Sequence, residues 1–316
     1  MSALTRILAA AIALSIAWVA RAEYPSRPVR LVLPFAAGGA ADAVARTLAP
    51  ALEARLGQPV VIENRAGAEG ALAGQAVAAA PADGYTILYA VTATAALPVV
   101  GTTAYGPSDF TPITTIGTYD FGMFVSPRVP ATSVGEFIAY AREHPGTVNF
   151  ATLNVGEHFA AAQFMRASGV EMTKVPYRSM AQVLPDMVAG QVHVNFGPLS
   201  NGIALAREGK VRVLAMLGPE RSLLAPEVPT MGESGMPGVA FESVQMLFAP
   251  AKTPAGIVGK LSREVNAVLA QPGIRAKLEK LTLRVKGCTP EDLRRAQADS
   301  HAAWARFARD YRLGAE

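Results

Sequence analysis

Between Val29 and Phe248, short apolar runs rich in β-branched residues alternate with longer stretches whose apolar positions recur at helical spacing. Val29 to Phe35 (VRLVLPF) reads as a first strand, closed by Pro34 and Gly38-Gly39. The next stretch, Asp42 to Leu56, places Val44, Leu48, Leu52 and Leu56 on one face and Arg46, Glu53 and Arg55 on the other, which predicts an amphipathic helix. Pro59 to Ile62 and Tyr85 to Tyr89 read as strands around a small-residue helix at Gly70 to Ala80. The alternation then repeats. Strands are predicted at Gly122 to Val125, Val148 to Ala151, Lys174 to Tyr177, Gln191 to Phe196, Val211 to Met216 and Glu242 to Phe248. Helices are predicted at Ser133 to Glu143, Glu157 to Ser168, Ala181 to Ala189 and Gly202 to Glu208. Pro219 to Gly238 reads as loop with a short helix, and three helices follow: Pro254 to Ala270, Pro272 to Lys280 and Pro290 to Tyr311. Two rounds of β-α-β with a helical tail predict an α/β protein, and a tail packed on the first half would make the chain cross between halves twice.

The first 22 residues stand outside this alternation. Arg6 is followed by an apolar run from Ile7 to Ala20 and by Ala20-Arg21-Ala22, small residues at the two positions a signal peptidase reads. The run is shorter than the roughly 20 residues that span a bilayer, so a cleavable secretory leader over residues 1–22 is expected, with a periplasmic product. Without that leader 27 basic and 25 acidic side chains remain, a net charge of +2. Such a balance carries no footprint for nucleic acid or an anionic membrane surface, despite a sequence pI of about 9.3. Cys288 is the only cysteine, so no internal disulfide is possible, and it reads as a small core residue. Stability must come from apolar burial, for which 294 residues suffice in two domains.

Enzyme chemistry finds little footing. His144, His158, His193 and His301 do not pair at metal-ligand spacing, no G-x-S-x-G elbow is present, and no G-x-G-x-x-G follows the first strand. No catalytic residue, metal or cofactor is expected. The Phe35-Ala36-Ala37-Gly38-Gly39 loop, between a strand and a helix, offers a different chemistry. Exposed backbone N–H groups and the positive end of a helix can hold a carboxylate without an arginine. Asp42 is expected to cap that helix's first turn.

Several stretches resemble the substrate-binding proteins of tripartite tricarboxylate transporters, the Bug-type receptors. Tyr24-Pro25-Ser26-Arg27-Pro28-Val29-Arg30-Leu31-Val32-Leu33-Pro34-Phe35 with Gly38-Gly39 is similar to that family's YPxRPIRLVVPFxxGG opening, and Asp42 and Arg46 fit its DxxAR. Gly57 to Gly67 (GQPVVIENRAG), Ala82-Asp83-Gly84-Tyr85-Thr86, Asp109-Phe110-Thr111-Pro112, Val175-Pro176-Tyr177, Gly190-Gln191-Val192, Pro226 to Thr230 and Phe248-Ala249-Pro250 continue the series in order. The resemblance implies a type II periplasmic-binding-protein fold, with two lobes joined by two crossing strands and a ligand cleft between them. It places lobe 1 at residues 23–120 and 248–316 and lobe 2 at 121–247. It implies a receptor that closes around a small carboxylate or amino-acid-like ligand, as a monomer, and delivers it to membrane permease subunits; a sensor kinase is the alternative partner. The expected ligand contacts are Phe35, Ala36, Ala37, Gly38 and Gly39 on one wall, and Thr152, Asn154, Gly156, Tyr177 and Gly197 on the other. Thr92 and Thr94 are added as hydroxyl donors, and Tyr119 and Asp120 at the first crossing. The stretch Thr152 to Gly156 is about two residues shorter than the family's Ser/Gly-rich loop, with Leu153 and Val155 in place of small or polar residues.

Overall fold

The computed structural model describes residues 24–101 and 103–310; the leader read over residues 1–22 lies outside the described residues. Two sheets organise the chain. The first contains β1 (Val29–Leu33), β2 (Val60–Asn64), β3 (Thr86–Val91), β4 (Phe110–Tyr119), β10 (Ser243–Pro250) and β11 (Leu283–Val285), in the order β11-β4-β10-β3-β1-β2. The second contains β5 (Phe121–Val125), β6 (Asn149–Thr152), β7 (Thr173–Pro176), β8 (Val194–Pro198) and β9 (Arg212–Met216), in the order β7-β6-β8-β5-β9.

β1 runs parallel to β2 and β3 and is buried at four of its five residues, which is why its sequence is a nearly continuous apolar run rather than an alternating one. The parallel pairs need crossovers, supplied by α1 (Ala40–Leu56) and α2 (Ala71–Ala78). Val44, Leu48, Leu52 and Leu56 of α1 enter the core while Arg46, Glu53 and Arg55 stay in water, as the spacing predicts. In the second sheet β6 lies between β7 and β8 and is parallel to both, while β5 is antiparallel to β8 and β9. Its helices are α4 (Val134–Glu143), α5 (Val155–Ser168), α6 (Met180–Ala189) and the short α7 (Ile203–Arg207).

Four elements differ from the sequence expectation. β4 (Phe110–Tyr119) is not among the predicted strands, although it pairs with both β10 and β11. Thr92–Val100 forms a further helix, α3, although Pro98 stands inside it. β11 is too short to signal itself and exists because its backbone pairs with β4. The tract 219–238 contains turns and isolated bridges but no helix.

The chain leaves the first sheet through a single residue, Asp120, which separates β4 from β5. It returns through residues 217–242 into β10, which pairs antiparallel with both β3 and β4. The tail forms α8 (Ala255–Leu269), α9 (Pro272–Lys280) and α10 (Pro290–Asp310) against the first sheet. α10 also reaches the second sheet's helices. Trp304 packs tilted and Phe307 edge-on against Phe159 of α5, with ring centroids 4.6 and 4.1 Å apart, and Phe159 lies 5.9 Å from the Phe241 ring. Among the described residues no helix is long and apolar enough to cross a membrane.

Candidate functional site

In both sheets the loops at the carboxyl ends of the parallel strands occupy the position at which open α/β sheets take ligands. On the first sheet these are the loops after β1, β2 and β3; on the second, those after β6, β7 and β8. The helix after β3, α3 (Thr92–Val100), lies against the start of α5: a Cβ on Gly156 would stand 3.0 Å from Cβ of Ala93 and 2.8 Å from the Phe241 ring.

The loop after β1 is open and internally braced. Ala36, Ala37, Gly38 and Gly39 are exposed, Phe35 is half-buried, and Gly38 has φ +85°, a conformation that glycine adopts without strain. Gly39 is the N-cap of α1 and no side chain caps the first-turn N–H groups. Asp42 is not the cap itself; it sits in the first turn, three residues past Gly39, and reaches back. Its Oδ2 accepts from the Gly38 N–H at 2.9 Å and from Arg46 Nε at 2.8 Å, and its Oδ1 accepts from Asn64 Nδ2 at 3.1 Å. Asn64 also donates to the Phe35 carbonyl at 3.0 Å. Hydrogen bonding from Arg46 leads the effects that hold the Asp42 carboxyl below its ordinary range. Asn64, which the sequence reading passed over, therefore ties β2 to the loop.

The remaining first-sheet candidates are committed to the frame. Thr92 Oγ1 accepts from the Val244 N–H at 2.9 Å. Thr94 is buried, with its hydroxyl accepting from Val91 N at 2.9 Å and donating to Val91 O at 3.1 Å. Tyr119 is buried and its hydroxyl donates to the Ala40 carbonyl at 2.7 Å, joining the end of β4 to the start of α1. Asp120 is buried between the sheets; Ser222 Oγ donates to it at 2.6 Å and Arg284 Nε lies 3.2 Å from it. Its carboxylate thus joins the outgoing crossing, the returning segment and β11.

On the second sheet, Asn154 is the N-cap of α5, and its Oδ1 accepts from the N–H groups of Gly156 at 2.9 Å and Glu157 at 3.2 Å. Thr152 donates its hydroxyl hydrogen to the Asn154 carbonyl at 2.9 Å. Tyr177, after β7, donates to Asp186 at 2.6 Å, and burial leads the causes that push its hydroxyl up to about 12. Gly197 is buried near the end of β8. Two residues beside it were not singled out from sequence. Glu157 is 2 % exposed, and its Oε2 accepts from Leu153 N at 2.8 Å and from Asn195 Nδ2 at 3.4 Å. Burial pushes this carboxyl up to about 8, and the nearby Glu69 carboxylate adds to the rise. Asn195 is fully buried and its Oδ1 has no hydrogen-bond partner. The signal available in the sequence was a polar residue in the middle of an otherwise apolar strand.

Among the described residues no group of three or more His, Cys, Asp or Glu is arranged to hold a metal ion. A cavity of about 330 Å³ lies elsewhere, within the first-sheet half, lined by Pro34, Tyr105, Phe110, Phe248 and, from α10, Arg294 and His301.

A sequence-family model described as the tripartite tricarboxylate transporter family receptor matches residues 44–313. The chain belongs to that family. Among solved structures, the periplasmic binding protein BugD is 29% identical, covering 92% of this chain and 99% of its own, with a TM-score of 0.85. MatC from Rhodopseudomonas palustris with bound malate is 31% identical over 90% of this chain and all of its own, TM-score 0.82. R. palustris Rpa4515 with adipate is 33% identical over 91% and 98% of the two chains, TM-score 0.84. The two-sheet α/β architecture is thus that of the periplasmic binding proteins, among the Bug-type tripartite tricarboxylate transporter receptors, and the family homologues are solute-binding receptors rather than enzymes.

Proposed function

We propose that this receptor captures a small carboxylate-bearing metabolite by closing two lobes over it, and delivers it to the membrane subunits of a transporter. The observation that carries this reading is the uncapped start of α1 behind the Phe35–Gly39 loop. Its free N–H groups and the positive end of the helix favour a carboxylate, and they sit at the carboxyl edge of a parallel sheet. The relatives with malate and adipate support the same ligand class.

The division proposed is lobe 1 at residues 23–120 and 248–316 and lobe 2 at 121–247, after removal of a leader over residues 1–22. Asp120 sits at the outgoing crossing, and its bonds to Ser222 and Arg284 tie both crossings to one pivot. The braced Asp42–Arg46–Asn64 network presents the loop in one shape, so a ligand need not pay to order it. Closure brings the loops after β6 and β8 over the anion. A ligand favours the closed form only by the difference in its affinity for the two forms.

The test is a thermal-shift screen of the protein lacking residues 1–22 against mono-, di- and tricarboxylates, amino acids and matched neutral amides. A saturable shift with a carboxylate and none with its amide is expected. At 100 times Kd the stabilisation is about 2.7 kcal/mol. Equal shifts with acid and amide would sink the anion assignment.

A further inference from the structure

We infer that the cavity bounded by α2, α3, β4 and α10 is a second ligand site, separate from the cleft, that takes a neutral aromatic bearing a hydroxyl group. The inference goes beyond the carboxylate reading and does not rest on it, because none of Phe35 to Gly39 lines this cavity.

Size and walls set the body of the ligand. The cavity holds about 330 Å³, with Leu88 and Phe248 of the first sheet among its lining residues. An apolar cavity of about 150 Å³ holds one benzene, so this volume takes two fused rings. One wall is aromatic: Tyr105 meets Phe110 edge-on with ring centroids 5.5 Å apart, and Phe110 lies 6.2 Å from Phe248. Rings of a ligand can pair edge to face with such a wall. Gly74 of α2 leaves the room that the Tyr105 ring needs, since a Cβ there would stand 2.4 Å from the hydroxyl oxygen.

The polar groups on the lining set the ligand's polar end. Thr94 is committed to Val91, and Gln297 donates to Met246 Sδ at 2.8 Å. Ser108 is exposed at the mouth. Two less exposed groups are open. Tyr105 is 8 % exposed, and its hydroxyl makes no hydrogen bond among the described residues. Burial pushes that hydroxyl up to about 12, so it keeps its proton and can donate. On α10, one ring nitrogen of His301 meets the Ala95 carbonyl, and burial leads the causes that hold the ring below its ordinary pKa. The ring is therefore uncharged at neutral pH, and its other nitrogen is an acceptor. A ligand hydroxyl can accept from Tyr105 or donate to His301. A carboxylate only accepts, and it would meet the His301 lone pair.

The charge around the cavity points the same way. Arg294 is the only arginine, lysine or acid on the lining; it is exposed and already pairs with Glu291. A cation would find no counter-ion in the cavity. An anion would have to draw Arg294 away from Glu291 while giving up its own water. A neutral ligand avoids both costs.

The experiment is calorimetric titration of the protein lacking residues 1–22 with 2-naphthol, 2-naphthoate and naphthalene. We expect 2-naphthol to bind one to one, about ten-fold or more tighter than 2-naphthoate and about three- to ten-fold tighter than naphthalene, the range one hydrogen bond supplies. Tyr105→Phe strands no partner, so it should fold normally, weaken 2-naphthol about three-fold or more and leave naphthalene unchanged. Ala298→Phe, at an exposed position on the rim, fills the cavity and should weaken both ligands about ten-fold or more. Equal or tighter binding of 2-naphthoate would overturn the neutral ligand class, and equal binding of naphthalene would overturn recognition of the hydroxyl. Undiminished 2-naphthol binding by Ala298→Phe would put the ligand outside this cavity and overturn the site. Failure of 2-naphthol to bind would also overturn it, and would leave the carboxylate receptor standing on its own screen.

Discussion

The two walls of the cleft solve opposite problems. The Phe35–Gly39 loop is exposed, carries its polarity in the backbone, and has its one carboxylate, Asp42, held ionised by Arg46 and turned inward to brace the loop. The facing wall is dry and carries its polarity in side chains, with Glu157 buried among Leu153, Asn154 and Asn195 without a basic partner. A carboxylate near an arginine and one in a dry wall move in opposite directions from their ordinary values, because the first gains a partner for its charge and the second loses water. Backbone donors suit any anion of the right shape; buried side-chain acceptors discriminate, because a wrong ligand leaves them unpaired.

The comparison breaks most sharply at Gly38. A valine there must adopt φ +85°, although a Cβ has open space, so the loop is expected to shift rather than the core to repack. Carboxylate affinity should fall by 100-fold or more, about 2.8 kcal/mol, while urea denaturation still gives one cooperative transition. Unchanged affinity would remove the loop from the site.

The pH dependence of stability separates the two acids. Glu157 is raised in the folded state, so its stabilising contribution is full below its ordinary pKa of 4.5 and is lost as pH rises through about 8. Asp42 is lowered, so its contribution is present above its ordinary value of 3.8 and is lost as pH falls through the lowered one. In the ligand-free protein, Glu157→Gln should therefore flatten the decline of the urea midpoint between pH 5 and 8, by at most about 1.4 kcal/mol per pH unit. Asp42→Asn should leave that window alone and blunt the loss of stability on acidification. Identical pH profiles for Glu157→Gln and the unaltered protein would show that the carboxyl is not held in a dry wall.

The smallest effect is at the cap of α5. Asn154→Ala removes the acceptor for two N–H groups and should cost about 1 kcal/mol of stability, read from the urea midpoint. A much larger loss would mean that Asn154 also holds Glu157 in place through its Nδ2 contact.

Much of the frame was legible along the chain. The β-branched runs at Val29, Val60 and Thr86 and the helical spacing of Val44, Leu48, Leu52 and Leu56 depend on burial patterns that repeat locally, and each became the element it predicted. The glycine loop was legible for the same reason, since Gly38 answers a backbone conformation set by its immediate neighbours. α3 was hidden because Pro98 and a run of small residues mask helical periodicity, and β11 because three residues gain strand structure only by pairing with β4.

The assignments of individual polar side chains depended on distance in space. Tyr119 and Asp120 lie at the end of β4 and Thr92 just after β3, but their partners Ala40, Ser222, Arg284 and Val244 are 79 or more residues away. No local pattern records such pairs. Glu157 and Asn195 are the clearest case: a glutamate in a helix's first turn and an asparagine in a strand are unremarkable one at a time. The sequence by itself determined most of the strands and helices and the glycine conformation of the Phe35–Gly39 loop, because these follow from the local periodicity of burial and from backbone geometry. Which carboxylate is ionised and which holds a proton was decided only by the tertiary structure, because it alone places Arg46 beside Asp42 and takes Glu157 out of water.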